Sequence, residues 1–342
     1  MKIQTVIAQL VERRDLSADT MRKAMTAIMT GNATDAQIAA FLVALRMKGE
    51  TVDEIAAAAA VMRDLSISVP VTSPATVDTC GTGGDGSSLF NVSTASAFIV
   101  AAAGGKVAKH GNRSVTSTCG SADLLEAAGA SLELNAEQVA RAIDQIGVGF
   151  MFAVKHHGAM KHAIGPRREI AIRTLFNVLG PLTNPAGSRH QVLGVYDKQW
   201  LRPLAEVLQK LGSRHVLVVH SDDGLDELSV AAPSQVAELK DGVISEYTIT
   251  PEQFGLQRHS LDALKVSSAQ ESLGLIKQAY RDVDSAAGQM LALNAGAAIY
   301  AADLANSLAQ GVTLAQDIMA TGQAQEKFNE FIEYTRMVAV TS

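Results

Sequence analysis

A short strand-like run, Thr76–Thr79, passes straight into Gly81-Thr82-Gly83-Gly84-Asp85-Gly86, and a helical pattern starts at Asn91-Val92-Ser93-Thr94 and runs to about Ala103. Strand, glycine turn and helix in that order constrain the chain more than any other feature. The helix has to carry the backbone to the start of the next strand, which makes the two strands parallel neighbours in one sheet. Gly104 and Gly105 close the helical run, and a second strand pattern follows at Lys106–His110. A helix is expected near Ser121–Ala128, with further buried strands at Val192–Tyr196 and His215–His220. Residues 235–249 read as a hairpin turned at Asp241-Gly242, after which helical patterns continue to the C-terminus.

The region before Pro70 and Pro74 has a different grammar. Met21, Ala24, Met25 and Ile28 have helical spacing, and Gly31 ends that run. Thr34 with Gln37, and Thr51 with Glu54, have capping-box spacing ahead of two more helices, the second ending near Leu65. The expected fold is α/β: a small all-helical domain joined to a larger α/β domain with a mainly parallel central sheet wrapped by helices. The helical domain is expected to span residues 1–72, joined by the turn-rich segment at about 166–188, which returns to it. The α/β domain then takes 73–165 and 189–342. Aromatic residues make up only 4% of a chain that is 47% hydrophobic, so the core has to be packed from small side chains.

Charge and cysteine content exclude several functions. The net charge of -6, from 29 basic and 35 acidic residues, lacks the basic surface that a nucleic-acid binder needs. Cys80 and Cys119 make no disulfide framework and no CxxC pair. The opening MKIQTVIAQLVERRDL is broken by charges, and the apolar run around Ala95–Ala103 is too short to cross a bilayer. No membrane partner is expected, and the default compartment is the cytoplasm.

Four clusters carry chemistry. Glycines in the first turn allow positive φ and a close backbone approach to a ligand, and several N–H groups there can converge on one anion together with the following helix N-terminus. Read alone, the same cluster is a tight strand-to-helix turn. It is neither a dinucleotide fingerprint, since Gly104, Gly105 and Lys106 stand where an acidic residue is needed, nor a Walker loop, since no Gly-Lys-Ser/Thr follows. The second cluster, Lys109-His110-Gly111-Asn112-Arg113-Ser114-Val115-Thr116-Ser117, sets two cations and several hydroxyls at a strand's C-terminal end, which suits phosphate or diphosphate. The third is Asp222-Asp223-Gly224-Leu225-Asp226-Glu227, directly after a buried strand. Its oxygen ligands, shared with phosphate oxygens, suit Mg²⁺, and Asp226 with Glu227 is the preferred pair. The fourth runs from Lys155 to Arg173. Its His156, His157 and His162 read as cleft-lining or capping groups rather than a zinc set, and Arg167 and Arg168 are either surface charges or a fork for a substrate carboxylate.

Together, GTGGDG, NVST, KHGNRS, TLFNVLGPLTNP and DGLDE resemble the anthranilate phosphoribosyltransferases in order and spacing, over essentially the whole chain. The resemblance implies transfer of a phosphoribosyl group from 5-phosphoribosyl 1-diphosphate to anthranilate with Mg²⁺, and a homodimer formed through the helical part. It implies that Gly81, Gly84, Asp85, Asn91, Val92, Ser93 and Thr94 bind the sugar diphosphate, with Lys109 to Ser117 and Ser121 continuing that site. Ser93, Asp226 and Glu227 match the magnesium positions, while Gly81, Asn112 and Arg167 match those touching anthranilate, with His110 lining its path. Leu89 departs from the pattern, standing where many members carry a threonine.

Lys109, Asn112 and Arg167 are the catalytic candidates: Lys109 neutralises the leaving diphosphate, and the other two orient the aromatic acid. An aniline nitrogen is neutral at pH 7, so no strong general base is required. The rivals are a pyrimidine-nucleoside phosphorylase of the same fold, which takes inorganic phosphate and needs no metal, and a non-catalytic nucleic-acid-binding relative. DGLDE and KHGNRS weigh against the first, and the acidic charge balance against the second.

Overall fold

Helices α1 (Ile3–Val11), α2 (Ala18–Met29), α3 (Asp35–Lys48) and α4 (Val52–Asp64) open the chain. Both expected capping boxes form: the Thr34 side chain accepts from Gln37 N, and the Thr51 side chain from Glu54 N. Glu54 is fully buried and doubles as an anchor, accepting from Leu16 N at 2.9 Å and pairing with Lys48 at 2.9 Å. The computed structural model describes residues 2–114 and 119–340. Val115, Thr116 and Ser117 of the second sequence cluster therefore lie outside the described residues.

The α/β part begins with β1 (Val77–Gly81), α5 (Val92–Ala102) and β2 (Val107–Gly111). It continues through α6 (Ser121–Ala127), α7 (Ala136–Ile146), β3 (Val148–Phe152), α8 (Ala153–His156), α9 (Lys161–Ile170) and α10 (Phe176–Leu179). Then come β4 (His190–Gly194), α11 (Leu201–Lys210), β5 (His215–Ser221), β6 (Ser234–Lys240) and β7 (Val243–Ile249). Four helices close the chain: α12 (Ala269–Ala279), α13 (Ala286–Ala301), α14 (Leu308–Ala320) and α15 (Gln323–Val340).

The seven strands lie in the order β3-β2-β1-β4-β5-β6-β7. The first five are parallel, and β6 and β7 are the expected antiparallel hairpin, turned through positive φ at Asp241 and Gly242. Two strand assignments need correcting. β4 starts at His190 rather than Val192, because His190 and Gln191 are polar yet buried. Their side chains bond to the Ala301 and Pro181 carbonyls, so the apolar pattern misses them. β3 is absent from the sequence reading altogether. Its apolar run follows α7 with only Gly147 between them, a left-handed cap that leaves no loop to mark the change.

The sheet separates two cores. Val192, Leu217 and Val219 pack with α5 and α13 on one face, while Leu193, Val216 and Val218 pack with α11 and the N-terminal helices on the other. Ala163 of α9 joins the second core with Leu175, Phe176 and Val178 of the returning segment, beside Met21 and Phe41. No helix among the described residues is long and apolar enough to cross a membrane.

Candidate active site

From β1 the chain runs outward to β2 and β3, then crosses back to β4 on the other side of β1. Such a reversal opens a crevice at the C-terminal ends of the two strands, where ligands of open α/β sheets bind. β1 ends there in the glycine turn. Gly83, Gly84 and Gly86 hold φ of 64°, 79° and 73°, a region that side chains disfavour, so the turn depends on glycine. β4 ends there at Gly194, and a Cβ on Gly194 would collide with the backbone of Asp226. A Cβ on Gly81 would likewise strike the Asp226 carboxylate. Two glycines on neighbouring strands thus clear the space that the DGLDE loop fills.

That loop is held in place before any ligand arrives. Ser229 Oγ donates to Asp223 Oδ2 at 2.6 Å, and Ser221 Oγ also donates to Asp223, so this carboxylate staples the loop. Asp222 is exposed and accepts from Gln235 at 3.3 Å. Asn294 on α13 brackets Leu228, accepting its N–H at 3.0 Å and donating to its carbonyl at 2.8 Å. Asp226 and Glu227 are the acids left facing inward. Asp226 Oδ2 accepts from Gly83 N at 2.7 Å, and Glu227 Oε1 from Ser93 N, in the first turn of α5, at 3.2 Å.

Burial and the neighbouring Asp85 push the Asp226 carboxyl up, and burial with Asp226 pushes Glu227 up to about 8 despite the opposing pull of Lys109. Lys109 is buried, which lowers its pKa. It donates to Thr79 O and lies 3.4 Å from Ser93 Oγ. Asp85, Asp226 and Glu227 crowd together with Lys109 beside Glu227, all three acids are hard oxygen donors, and the glycine turn's N–H groups stand beside them. Such a donor set suits a divalent cation of the magnesium kind.

Residues 4–66 match the helical bundle domain of a glycosyl transferase family, and residues 73–325 match that family's a/b domain. An anthranilate phosphoribosyltransferase from Hahella chejuensis is 62% identical over 98% of both chains. The chain belongs to the anthranilate phosphoribosyltransferase family. The crystal structure of the Thermus thermophilus member superposes with a TM-score of 0.91 at 41% identity, covering 96% of this chain and 99% of that one. The Saccharomyces cerevisiae member, solved in complex with PRPP and Mg, shares the fold with a TM-score of 0.89 at 24% identity, over 98% of each chain.

Gly81, Asp85, Ser93, Lys109, Asp226 and Glu227, all matched to the family's motifs, come together at this crevice. Others are engaged differently. The Asn91 side chain is bound to Ser272 and Cys119, which fixes the start of α5. Thr94 Oγ1 donates to Ser121 Oγ at 2.8 Å, and Gly111 packs against Ser121 and Phe150, which ties β2 to α6. Val92 is buried, leaving its backbone as the part able to face a ligand. Arg113 is committed to surface pairs with Asp123 and Glu126 rather than to the turn. Asn112 is exposed, its Oδ1 accepting from Arg113 N at 2.8 Å. Arg167 stacks on Phe176, 5.0 Å from the ring centroid, half-buried and with no carboxylate partner among the described residues.

Two contributors carry no signal in the sequence. Gly194 and Asn294 lack any motif of their own and acquire meaning only through contact with the DGLDE loop. Arg173 donates to Gly84 O at 2.5 Å and stacks on Tyr196 at 4.0 Å, joining the returning segment to the turn. His157 lies with its ring 5.1 Å from that of His110, and the Nε2 atoms of both are buried without a partner among the described residues. His156 reaches the Ile67 carbonyl at 2.9 Å, and His162 packs beside Gly31.

Burial, with the neighbouring His156, lowers His157 to about 4, and burial lowers His110 well below its usual value. A histidine with a lowered folded pKa binds fewer protons than in the unfolded chain, so stability is lost as pH falls through the window between about 6.5 and 4. Thermal unfolding followed from pH 7 to 4.5 is expected to show Tm falling more steeply in the parent than in His157→Gln. For His157 alone the full window corresponds to about 3 kcal/mol. Equal slopes would show that His157 is not held neutral.

Proposed function

We propose that this chain transfers the 5-phosphoribosyl group of 5-phosphoribosyl 1-diphosphate to the amine of anthranilate, in tryptophan biosynthesis, at the crevice between β1 and β4. The carrying observation is the meeting of Asp226 and Glu227 with Lys109 and the glycine turn at the sheet's switch point. Displacement at the anomeric carbon leaves positive charge on the sugar and negative charge on the departing diphosphate. Catalysis therefore rests on preorganised charge and orientation. Ser93, Asp226 and Glu227 would hold magnesium, which when bound supplies neutralising charge to the diphosphate oxygens. Lys109 and the N–H groups of the glycine turn and of α5 act on the same charge, aimed before substrate arrives.

Arg167 would take the anthranilate carboxylate. A half-buried guanidinium without a protein acid is a ready partner for such a group. Asn112 and the neutral His110 and His157 imidazoles would line the same approach, with hydrogen-bonding atoms still available. A second copy of the chain would pack on the helical unit, where Val11 and Met47 are 68% and 70% exposed beside a groove between α1 and α3. The compartment would be the cytoplasm.

Loss of anthranilate fluorescence on mixing the protein with 5-phosphoribosyl 1-diphosphate and Mg²⁺ tests the assignment directly. Thymidine with inorganic phosphate serves as the control, and turnover there alone would replace the proposal with a phosphorylase. Arg167→Ala is expected to raise the KM for anthranilate about tenfold or more, the value of a charge-assisted hydrogen bond, while the KM for the sugar diphosphate stays within about twofold. An unchanged anthranilate KM would remove Arg167 from the site.

A further inference from the structure

At the opposite, N-terminal edge of the same strands lies a second group of ligating side chains that the transfer reaction does not use. His190 and His215 begin β4 and β5 and face each other in register. Asp303 stands just beyond the end of α13, and ligand atoms from the three residues all lie within 4.8 Å of one another. We propose that His190, His215 and Asp303 form a binding site for a borderline-soft transition-metal dication of the zinc, cobalt or nickel kind, clipping β4 and β5 to the end of α13.

The surroundings of His215 argue for this. Its Nδ1 lies 2.7 Å from Asp303 Oδ1, and its Nε2 lies 3.1 Å from Glu238 Oε1. Glu238 is itself held by the hydroxyls of Tyr300 at 2.8 Å and Tyr247 at 2.9 Å. A carboxylate that fixes one imidazole nitrogen while the other faces a ligand carboxylate is the usual outer-shell support of a metal-bound histidine. With a cation in place, the Nδ1 lone pair goes to the metal and Nε2–H goes to Glu238, so every ring atom is satisfied. His190 Nδ1 lies 3.8 Å from Asp303 Oδ2 and 2.8 Å from the Ala301 carbonyl oxygen. Metal–ligand bonds of roughly 2.0–2.2 Å separate tetrahedral ligands by about 3.4 Å. The observed 2.7 and 3.8 Å bracket that value, and His190 Nδ1 takes the metal in exchange for the proton it donates to the Ala301 carbonyl.

Access and placement agree. The two histidines are buried, whereas the Asp303 side chain is 44% exposed and gives a cation a way in. Asp303 holds φ at 58°, at the helix-terminating position where glycine is usual. From that position the Asp303 carboxylate returns to the histidine pair. Imidazole ligands select a transition metal over magnesium, which keeps this site chemically distinct from Asp226 and Glu227.

Titration of the full chain with Co²⁺ under excess Mg²⁺ tests the proposal, with the visible absorption of imidazole-bound cobalt as the readout. One Mg²⁺-resistant equivalent per chain is expected. His190→Gln and Asp303→Asn should each weaken it at least tenfold while anthranilate transfer continues at the parental rate. Asp303 is a surface side chain, so Asp303→Asn should fold normally, and an unchanged melt in the absence of metal checks that it has. Failure to find a Mg²⁺-resistant equivalent overturns the proposal, as does equal Co²⁺ binding by parent and Asp303→Asn.

Discussion

Glu227→Gln and Asp226→Asn are each expected to lower kcat/KM by about 10²–10³-fold, equivalent to roughly 3 kcal/mol of transition-state stabilisation, at saturating Mg²⁺. Both substitutions keep the shape of the side chain. An asparagine at 226 would still offer an oxygen to Gly83 N, and a glutamine at 227 one to Ser93 N, so the loop should remain in place. What disappears is negative charge at the point where a cation and a departing diphosphate have to be balanced. Stability should move the other way. Burial pushes both carboxyls up in the folded chain, reinforced by Asp85 at Asp226 and by Asp226 at Glu227, so the charged forms are unfavourable there without a cation. Neutralising either one should leave the Mg²⁺-free Tm unchanged or raise it. Steady-state kinetics across a magnesium series, set beside melts with and without the ion, check both halves. Near-parental kcat/KM in both variants would remove these acids from the chemistry.

The split between lost activity and kept stability also explains what was legible in the sequence. Residues whose role follows from their own chemistry could be read directly. The glycine turn requires positive φ, Lys109 lies inside β2, and Asp226 and Glu227 follow β5. The helical unit was legible for a related reason, since capping boxes and helical spacing are local signals. Residues whose role is only a neighbour's requirement could not be read. Gly194 matters because Asp226 crosses it, Asn294 because Leu228 needs a partner, and Arg173 because Gly84 O lies within its reach. Arg113 shows the converse case. Its charge suits a phosphate, the fold also brings Asp123 and Glu126 on α6 within its reach, and sequence spacing cannot weigh one against the other. The start of β4 is hidden for similar reasons, because His190 and Gln191 are buried only by virtue of carbonyls that the apolar pattern does not show.

Gly194→Ala puts the contact-defined part of the site to its hardest test. The added methyl would occupy space held by the Asp226 backbone, so either β4 or the DGLDE loop has to move. β4 is paired along its length with β1 and β5, which leaves the loop as the part that yields. The loop is pinned on both sides of the contact, by Gly83 to Asp226 and by Asn294 to Leu228, so it cannot shift without losing one of those bonds. Overpacking of this kind costs about 1–3 kcal/mol and should lower Tm by a few degrees. A displacement of about 1 Å at Asp226 and Glu227 should cost roughly 10²-fold in kcat/KM. Gly274→Ala is the matched control: that glycine lies inside α12 with open space around it, so alanine should stabilise the chain by about 0.4–1 kcal/mol and leave kinetics untouched. If Gly194→Ala melted and turned over like the parent, the close crossing of β4 by the loop would not be what sets the position of Asp226.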